Sequence, residues 1–140
     1  MTLQTVLFLC TGNSCRSQMA EAWLRHLAGD RFEVFSAGTM PKPIHPFTYR
    51  VMAEVGIEMS GHSSKLVTDQ VIPGELDYLI TVCDDADKNC PVGLLNARQR
   101  IHWSFEDSAA VKGSEAERLE KFREVRDRIQ NRVRVWSAER

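Results

Sequence analysis

One short stretch gathers the side chains most able to do chemistry: Cys10-Thr11-Gly12-Asn13-Ser14-Cys15-Arg16-Ser17. A cysteine attacks as its thiolate. An arginine after five intervening residues offers a planar, two-pronged donor suited to a tetrahedral oxyanion. A helix starting near Arg16 would aim successive backbone N–H groups and its positive dipole end at the same point, forming an anion nest that also favours the thiolate. Nucleophile and anion cradle would then come from one continuous segment. Cys10 is the candidate nucleophile. Thr11, Gly12, Asn13, Ser14, Cys15, Arg16 and Ser17 are the candidate oxyanion contacts. A buried core cysteine beside a surface arginine is the competing reading, and the strand-turn-helix setting of the segment weighs against it.

Two further cysteines, Cys83 and Cys90, flank the polar segment DDADKN. Cys83 closes the apolar run DYLITV, which places its sulfur at the same sheet edge as Cys10. The polar segment is long enough to bring the Cys83 and Cys90 Cα atoms within the roughly 7 Å that a disulfide needs. Incidental buried cysteines and a zinc site remain alternatives, although Cys-x4-Cys and Cys-x6-Cys are not the usual short knuckle spacing. Oxygen leaving a tetrahedral oxyanion needs a proton. Asp107 and its neighbour Glu106 are carboxylates that could supply it, although on the residues alone the plain reading of exposed loop charges is favoured for both.

These residues need elements to position them. Thr5–Leu9 is a continuous apolar run, as in a strand buried on both faces of a parallel sheet. The next segment has helical spacing, with Ala20, Trp23, Leu24 and Leu27 on one face and Gly29 as the stop. Phe32–Phe35 reads as a second strand closed by Gly38. Pro46 opens a helix with Val51, Met52 and Val55 inward, ending at Gly56. Residues 57–76 are weakly patterned, mostly loop or short helix. Asp77–Val82 is the third strand, residues 84–100 a polar loop or frayed helix, and Ile101–Trp103 a short strand. Ser114 and Glu117 form a capping box. The helix after it carries Leu119, Phe122, Val125, Ile129, Val133 and Trp136 on one stripe, with its charged residues mostly solvated.

Strands alternating with helices predict an α/β fold, a three-layer sandwich around a parallel sheet of about four strands. With 140 residues, one domain spanning 1–140 is expected, as a monomer. Lys+Arg 18 against Asp+Glu 19 gives a net charge of -1, which argues against a nucleic-acid binder. No apolar run approaches the roughly 18 residues of a membrane span, and TVLFLC follows the start without a basic leader. The expectation is a soluble cytoplasmic protein whose cysteines are reactive rather than a structural framework.

CTGNSCRSQMAE resembles the active-site loop of arsenate reductases that share the fold of low-molecular-weight tyrosine phosphatases. The similarity continues through SAG at 36–38, EVGIEMSGHSS at 54–64, TVC at 81–83, HWSFED at 102–107 and FREVRDRIQNRV at 122–133. The resemblance implies that Cys10 attacks arsenate, that Cys83 attacks the Cys10–arsenic adduct, and that Cys90 takes over the disulfide for re-reduction by thioredoxin. No bound cofactor is implied. It also implies Asp107 as general acid, here followed by Ser108 where the family usually has proline. Several relatives hold potassium through positions matching Asn13, Glu21 and Ser36. The fourth position is Lys65 here, so no metal is expected. The rival reading is a tyrosine phosphatase or small phosphomonoesterase using Cys10, Arg16 and Asp107. The Cys83/Cys90 pair favours the reductase, because only arsenic can leave such an adduct with two electrons.

Overall fold

The computed structural model describes residues 3–69, 75–84 and 96–140. Its strands are β1 (Gln4–Cys10), β2 (Phe32–Gly38), β3 (Leu76–Thr81) and β4 (Ala97–His102). All pair in parallel in the order β2-β1-β3-β4. β1 is central because it is apolar throughout: Val6, Leu7, Phe8 and Leu9 are all 0 % exposed. Successive side chains point to opposite faces, so the sheet is covered on both. The α/β class and the four-stranded parallel sheet are as the sequence predicts.

The edge strand β4 departs from expectation. It begins at Ala97, inside the segment read as loop, and ends at His102 rather than Trp103. Its sequence ARQRIH is largely exposed, as edge strands with charged side chains are. Polar composition therefore hid it. β2 likewise runs on to Gly38.

Among the described residues the helices are α1 (Arg16–Ala28), α2 (Pro46–Glu54) and α3 (Glu115–Ala138). α1 packs on β1, β2 and α3 through Met19, Ala20, Trp23 and Leu24, all buried. Leu27, expected on that face, is 38% exposed: the buried stripe passes to Ala28 instead. α2 has Pro46 at its first turn, and the His45 ring nitrogen Nδ1 accepts the Phe47 N–H at 3.0 Å. It ends in a Schellman motif, with Gly56 at φ 83° and Ile57 N donating to Met52 O at 3.0 Å, a conformation glycine adopts without strain.

α3 starts at the expected capping box, with Glu117 N donating to Ser114 Oγ at 3.1 Å. The whole predicted stripe is buried. Near its end, the Trp136 ring lies 5.4 Å from Phe32, 4.9 Å from Tyr78 and 5.9 Å from Trp103. One indole thus ties β2 and β3 to the segment after β4. Burial of each such ring stabilises by about 2–3 kcal/mol. Trp103 also faces Phe8 at 6.0 Å, which anchors the start of the loop carrying Asp107. Among the described residues, no helix is long and apolar enough to cross a membrane.

Candidate active site

The loop from Cys10 to Arg16 begins where β1 ends and closes where α1 begins. Ligands of open α/β sheets bind at this carboxyl edge. Asn13 organises the turn. It adopts φ 49°, a left-handed conformation that asparagine tolerates better than most residues. Its backbone N–H points at Cys10 Sγ (3.2 Å). Its side-chain amide donates to Ser17 Oγ at 2.8 Å and Ser36 Oγ at 3.0 Å. Its Oδ1 accepts from Gln18 Nε2 at 3.1 Å and from Lys65 N at 2.9 Å. Asn13 is 0 % exposed and its side-chain amide is fully satisfied, so the turn is set by one buried residue.

Ser17 Oγ is 2.9 Å from Cys10 Sγ. Because that oxygen accepts from Asn13, its own proton is available to the sulfur. A Cys10 thiolate therefore finds two donors in place, the Asn13 N–H and the Ser17 hydroxyl. Gly38 lies against the same turn: a Cβ there would come 2.5 Å from the Thr11 carbonyl oxygen. Only glycine permits that approach. Cys15, inside the loop, is buried, and burial pushes its thiol above the usual cysteine range against opposing hydrogen bonds from Thr48 and Ser14. It is a protonated neighbour rather than a second thiolate.

Arg16 reaches across to the loop after β4. Its Nη1 donates to the Phe105 carbonyl at 3.1 Å, and its Nη2 stands 3.7 Å from Asp107 Oδ2. Asp107 also accepts from Ala109 N at 3.1 Å, capping the short 3-10 turn Ser108–Ala110. Here Ser108 begins a turn that the Asp107 carboxylate caps, so the loop has an internal brace without proline. Glu106 turns away, to Lys121 Nζ at 3.3 Å. Of the two candidate acids, Asp107 is the one beside Arg16.

Cys83, two residues past β3, is 3% exposed, and its sulfur is 3.4 Å from Thr11 Oγ1. The register explains this: Leu9 pairs with Thr81, so Thr11 and Cys83 come next on the same face. Cys10, Thr11, Arg16, Cys83 and Asp107 all line one cavity of about 870 Å³. The thiols of Cys10 and Cys15 are free. Cys90 lies outside the described residues. Lys42, His45 and Asp84 also line the cavity, and the sequence did not single them out for it. Lys42 and His45 come from the connection before α2 and Asp84 from just past β3, and none carries a periodic signal. The Phe105 carbonyl, a backbone group, has no side-chain signal either.

Behind the loop, Ser36 Oγ donates to Glu21 Oε1 at 2.5 Å, and Arg25 Nη2 lies 2.9 Å from Glu21 Oε2. Lys65 Nζ donates to Ser63 O at 2.6 Å. Burial lowers the Lys65 ammonium from its ordinary range, against the pull of Glu21. The oxygens at three of the four positions are thus already engaged by protein donors. Among the described residues, no three His, Cys, Asp or Glu side chains gather as a metal-binding group.

Known proteins share this architecture. Arsenate reductase 2 of Staphylococcus epidermidis is 43% identical over 133 residues, covering 95% of each chain. A solved arsenate reductase in its phosphate binding state superposes with a TM-score of 0.80 at 31% identity, over 98% of each chain. A thioredoxin-dependent arsenate reductase of Corynebacterium glutamicum superposes at 0.69 and 32% identity, over 97% of this chain and 61% of that one. Residues 5–139 match the family described as low molecular weight phosphotyrosine protein phosphatase. A match running from β1 to the end of α3 leaves one conclusion: the chain belongs to the low-molecular-weight phosphotyrosine protein phosphatase family.

Proposed function

We propose that the chain reduces arsenate to arsenite. The observation that carries this reading is the second buried sulfur: Cys83 lines the same cavity as Cys10 and Arg16. Hydrolysis of a phosphate ester has no use for it. Reduction does.

In the proposed sequence, arsenate sits in the N–H nest with Arg16 spanning its oxygens. The Cys10 thiolate displaces one oxygen, which Asp107 protonates, leaving a sulfur–arsenic(V) bond. The Cys83 thiolate then attacks Cys10 Sγ. A disulfide forms, the sulfur–arsenic bond breaks, and its electron pair leaves with arsenic as arsenite. Cys90 attacks Cys83 and releases Cys10. An external dithiol carrier, thioredoxin in this proposal, returns two electrons to the Cys83–Cys90 disulfide. The electrons pass through cysteines, so no bound cofactor is needed. A reducing cytoplasm suits such a relay.

The test is NADPH oxidation with arsenate, thioredoxin and thioredoxin reductase, wild type against Cys90→Ser. Sustained turnover in wild type and its loss in the variant are expected. Absence of turnover with thioredoxin and with a glutaredoxin–glutathione couple, alongside hydrolysis of a phosphomonoester, would replace reduction with phosphatase chemistry.

A further inference from the structure

His102 is the last residue of β4 and pairs in register with Thr81 of β3. Its imidazole meets Thr81 Oγ1 through Nδ1 at 2.8 Å, and Asp84 Oδ1 through Nε2 at 2.8 Å. These partners flank Cys83 in sequence, one two residues before it and one directly after it. Thr81 is 0 % exposed, so the ring is pinned at its buried end. Nε2 holds the Asp84 carboxylate at the rim of the cavity. Thr11 contacts the Cys83 sulfur from the β1 side, while His102 brackets its backbone from the β4 side.

We propose that His102 is a positioning residue for Cys83, fixing the strand end so that the sulfur is held inward against Thr11 and the Cys10 loop. Two effects follow. The bracket limits the conformations open to residues 82–84, so the nucleophile waits near its target instead of searching for it. The ring also keeps a hydrogen-bond donor on Asp84, a carboxylate that lines the cavity where an oxyanion must enter. His102 transfers no electrons or protons in this role. The step it assists is the attack of the Cys83 thiolate on Cys10 Sγ, with arsenite leaving. The mechanistic part of the inference rests on the reductase reading, but the placement of Cys83 does not.

The experiment compares wild type with His102→Ala and with Asp84→Ala, which releases the other end of the bracket. Three quantities are read: arsenite formed in a single turnover, the affinity for inorganic phosphate by calorimetry, and the rate of Cys83 alkylation by iodoacetamide, followed by mass spectrometry. Both variants are expected to form arsenite about tenfold more slowly, since loss of placement alone costs factors of ten to a hundred. Phosphate affinity is expected to stay within about twofold in His102→Ala, because the nest is untouched, and to hold or rise in Asp84→Ala, which takes a negative charge out of the cavity an anion enters. Cys83 alkylation is expected to rise at least several-fold while Cys10 and Cys15 react as in wild type. Equal alkylation of Cys83 in wild type and both variants would overturn the proposal, as would a parallel loss of phosphate binding, which marks a general structural defect. If wild type forms no arsenite, the reductase reading fails, and the alkylation rates still decide whether His102 places Cys83.

Discussion

Thr11 Oγ1 lies 3.4 Å from Cys83 Sγ, joining the first residue after β1 to the second residue after β3. A hydroxyl in that position can donate to a Cys83 thiolate. Its removal would take away one hydrogen bond to a charged sulfur, worth about 1.5–3 kcal/mol at most. Thr11→Val keeps the shape and the backbone N–H. We expect single-turnover arsenite formation to slow by about ten- to a hundredfold, with Thr11→Ser close to wild type. Rapid-quench measurement of arsenite separates the outcomes. Equal rates for valine and threonine would make the contact idle.

Asn13 carries the largest concentration of buried hydrogen bonds in the site. Asn13→Asp keeps the size and the tolerance for φ 49°, and its carboxylate still accepts from Gln18 and Lys65. It loses the donors to Ser17 and Ser36, and it buries a negative charge beside Cys10. We expect a stability loss of about 2–4 kcal/mol, read as a lower midpoint in urea. Weaker phosphate binding should accompany it. An unchanged midpoint would mean that the two serine hydroxyls turn to donate instead.

Much of this arrangement is legible in the sequence because it is local. The apolar run of β1, the turn residues after Cys10 and the Ser114–Glu117 box each write their structure in adjacent residues. Cys83 reaches the sheet edge because an apolar strand delivers it there. What the sequence hid is tertiary. β4 is an exposed edge strand, so ARQRIH shows no apolar alternation. The His102 bracket depends on register between β3 and β4. Asn13 looks like one polar loop residue among several until Ser36 and Lys65 arrive from distant segments. Arg126 reads as one more charge on α3, yet it is 8% exposed and donates to Val51 O at 2.9 Å.

Arg16 binds two different partners, the Phe105 carbonyl and the Asp107 carboxylate. Only a forked, planar cation can do both while facing an oxyanion. In Arg16→Lys the positive charge remains but the second prong is lost. The expected outcome is a weakening of phosphate binding by about ten- to a hundredfold, together with slower arsenite formation. Calorimetric titration with inorganic phosphate measures the first effect. Lysine performing as well as arginine would show that charge alone is required.

Glu54 joins α2 to α3. Arg123 grips it with Nε and Nη2 at 2.9 and 2.8 Å, and Arg126 Nη1 adds a contact at 2.9 Å. The Arg123 hydrogen bonds, followed by those of Arg126, bring its carboxyl down to about 2 against the burial that opposes them. A carboxyl held below its unfolded value of 4.5 adds stability that is fully present above that pH, and it is lost as pH falls toward about 2. Glu54→Gln should therefore flatten the melting-temperature profile between those limits while leaving its slope near neutrality unchanged. The pair is partly exposed, so salt should weaken the effect. A variant with the same acid slope as wild type would assign that slope to other carboxylates.

A monovalent cation beside the loop would need oxygen atoms with free lone pairs. At the candidate positions those atoms already accept from protein donors: Asn13 Oδ1 from two N–H groups, which fill both its lone pairs, and each Glu21 oxygen from one, Ser36 or Arg25. The Lys65 ammonium adds a positive charge on the same side, close enough for Glu21 to influence it. A cation would have to displace these donors and face that charge. We therefore expect potassium chloride and sodium chloride at equal concentration to give the same melting temperature and the same arsenite-forming rate. Lys65→Asp removes the ammonium and supplies a carboxylate. In that variant a preference for potassium over sodium should emerge, visible as a higher melting temperature in potassium. Potassium stabilising the wild-type chain more than sodium would show that the protein donors yield to the ion.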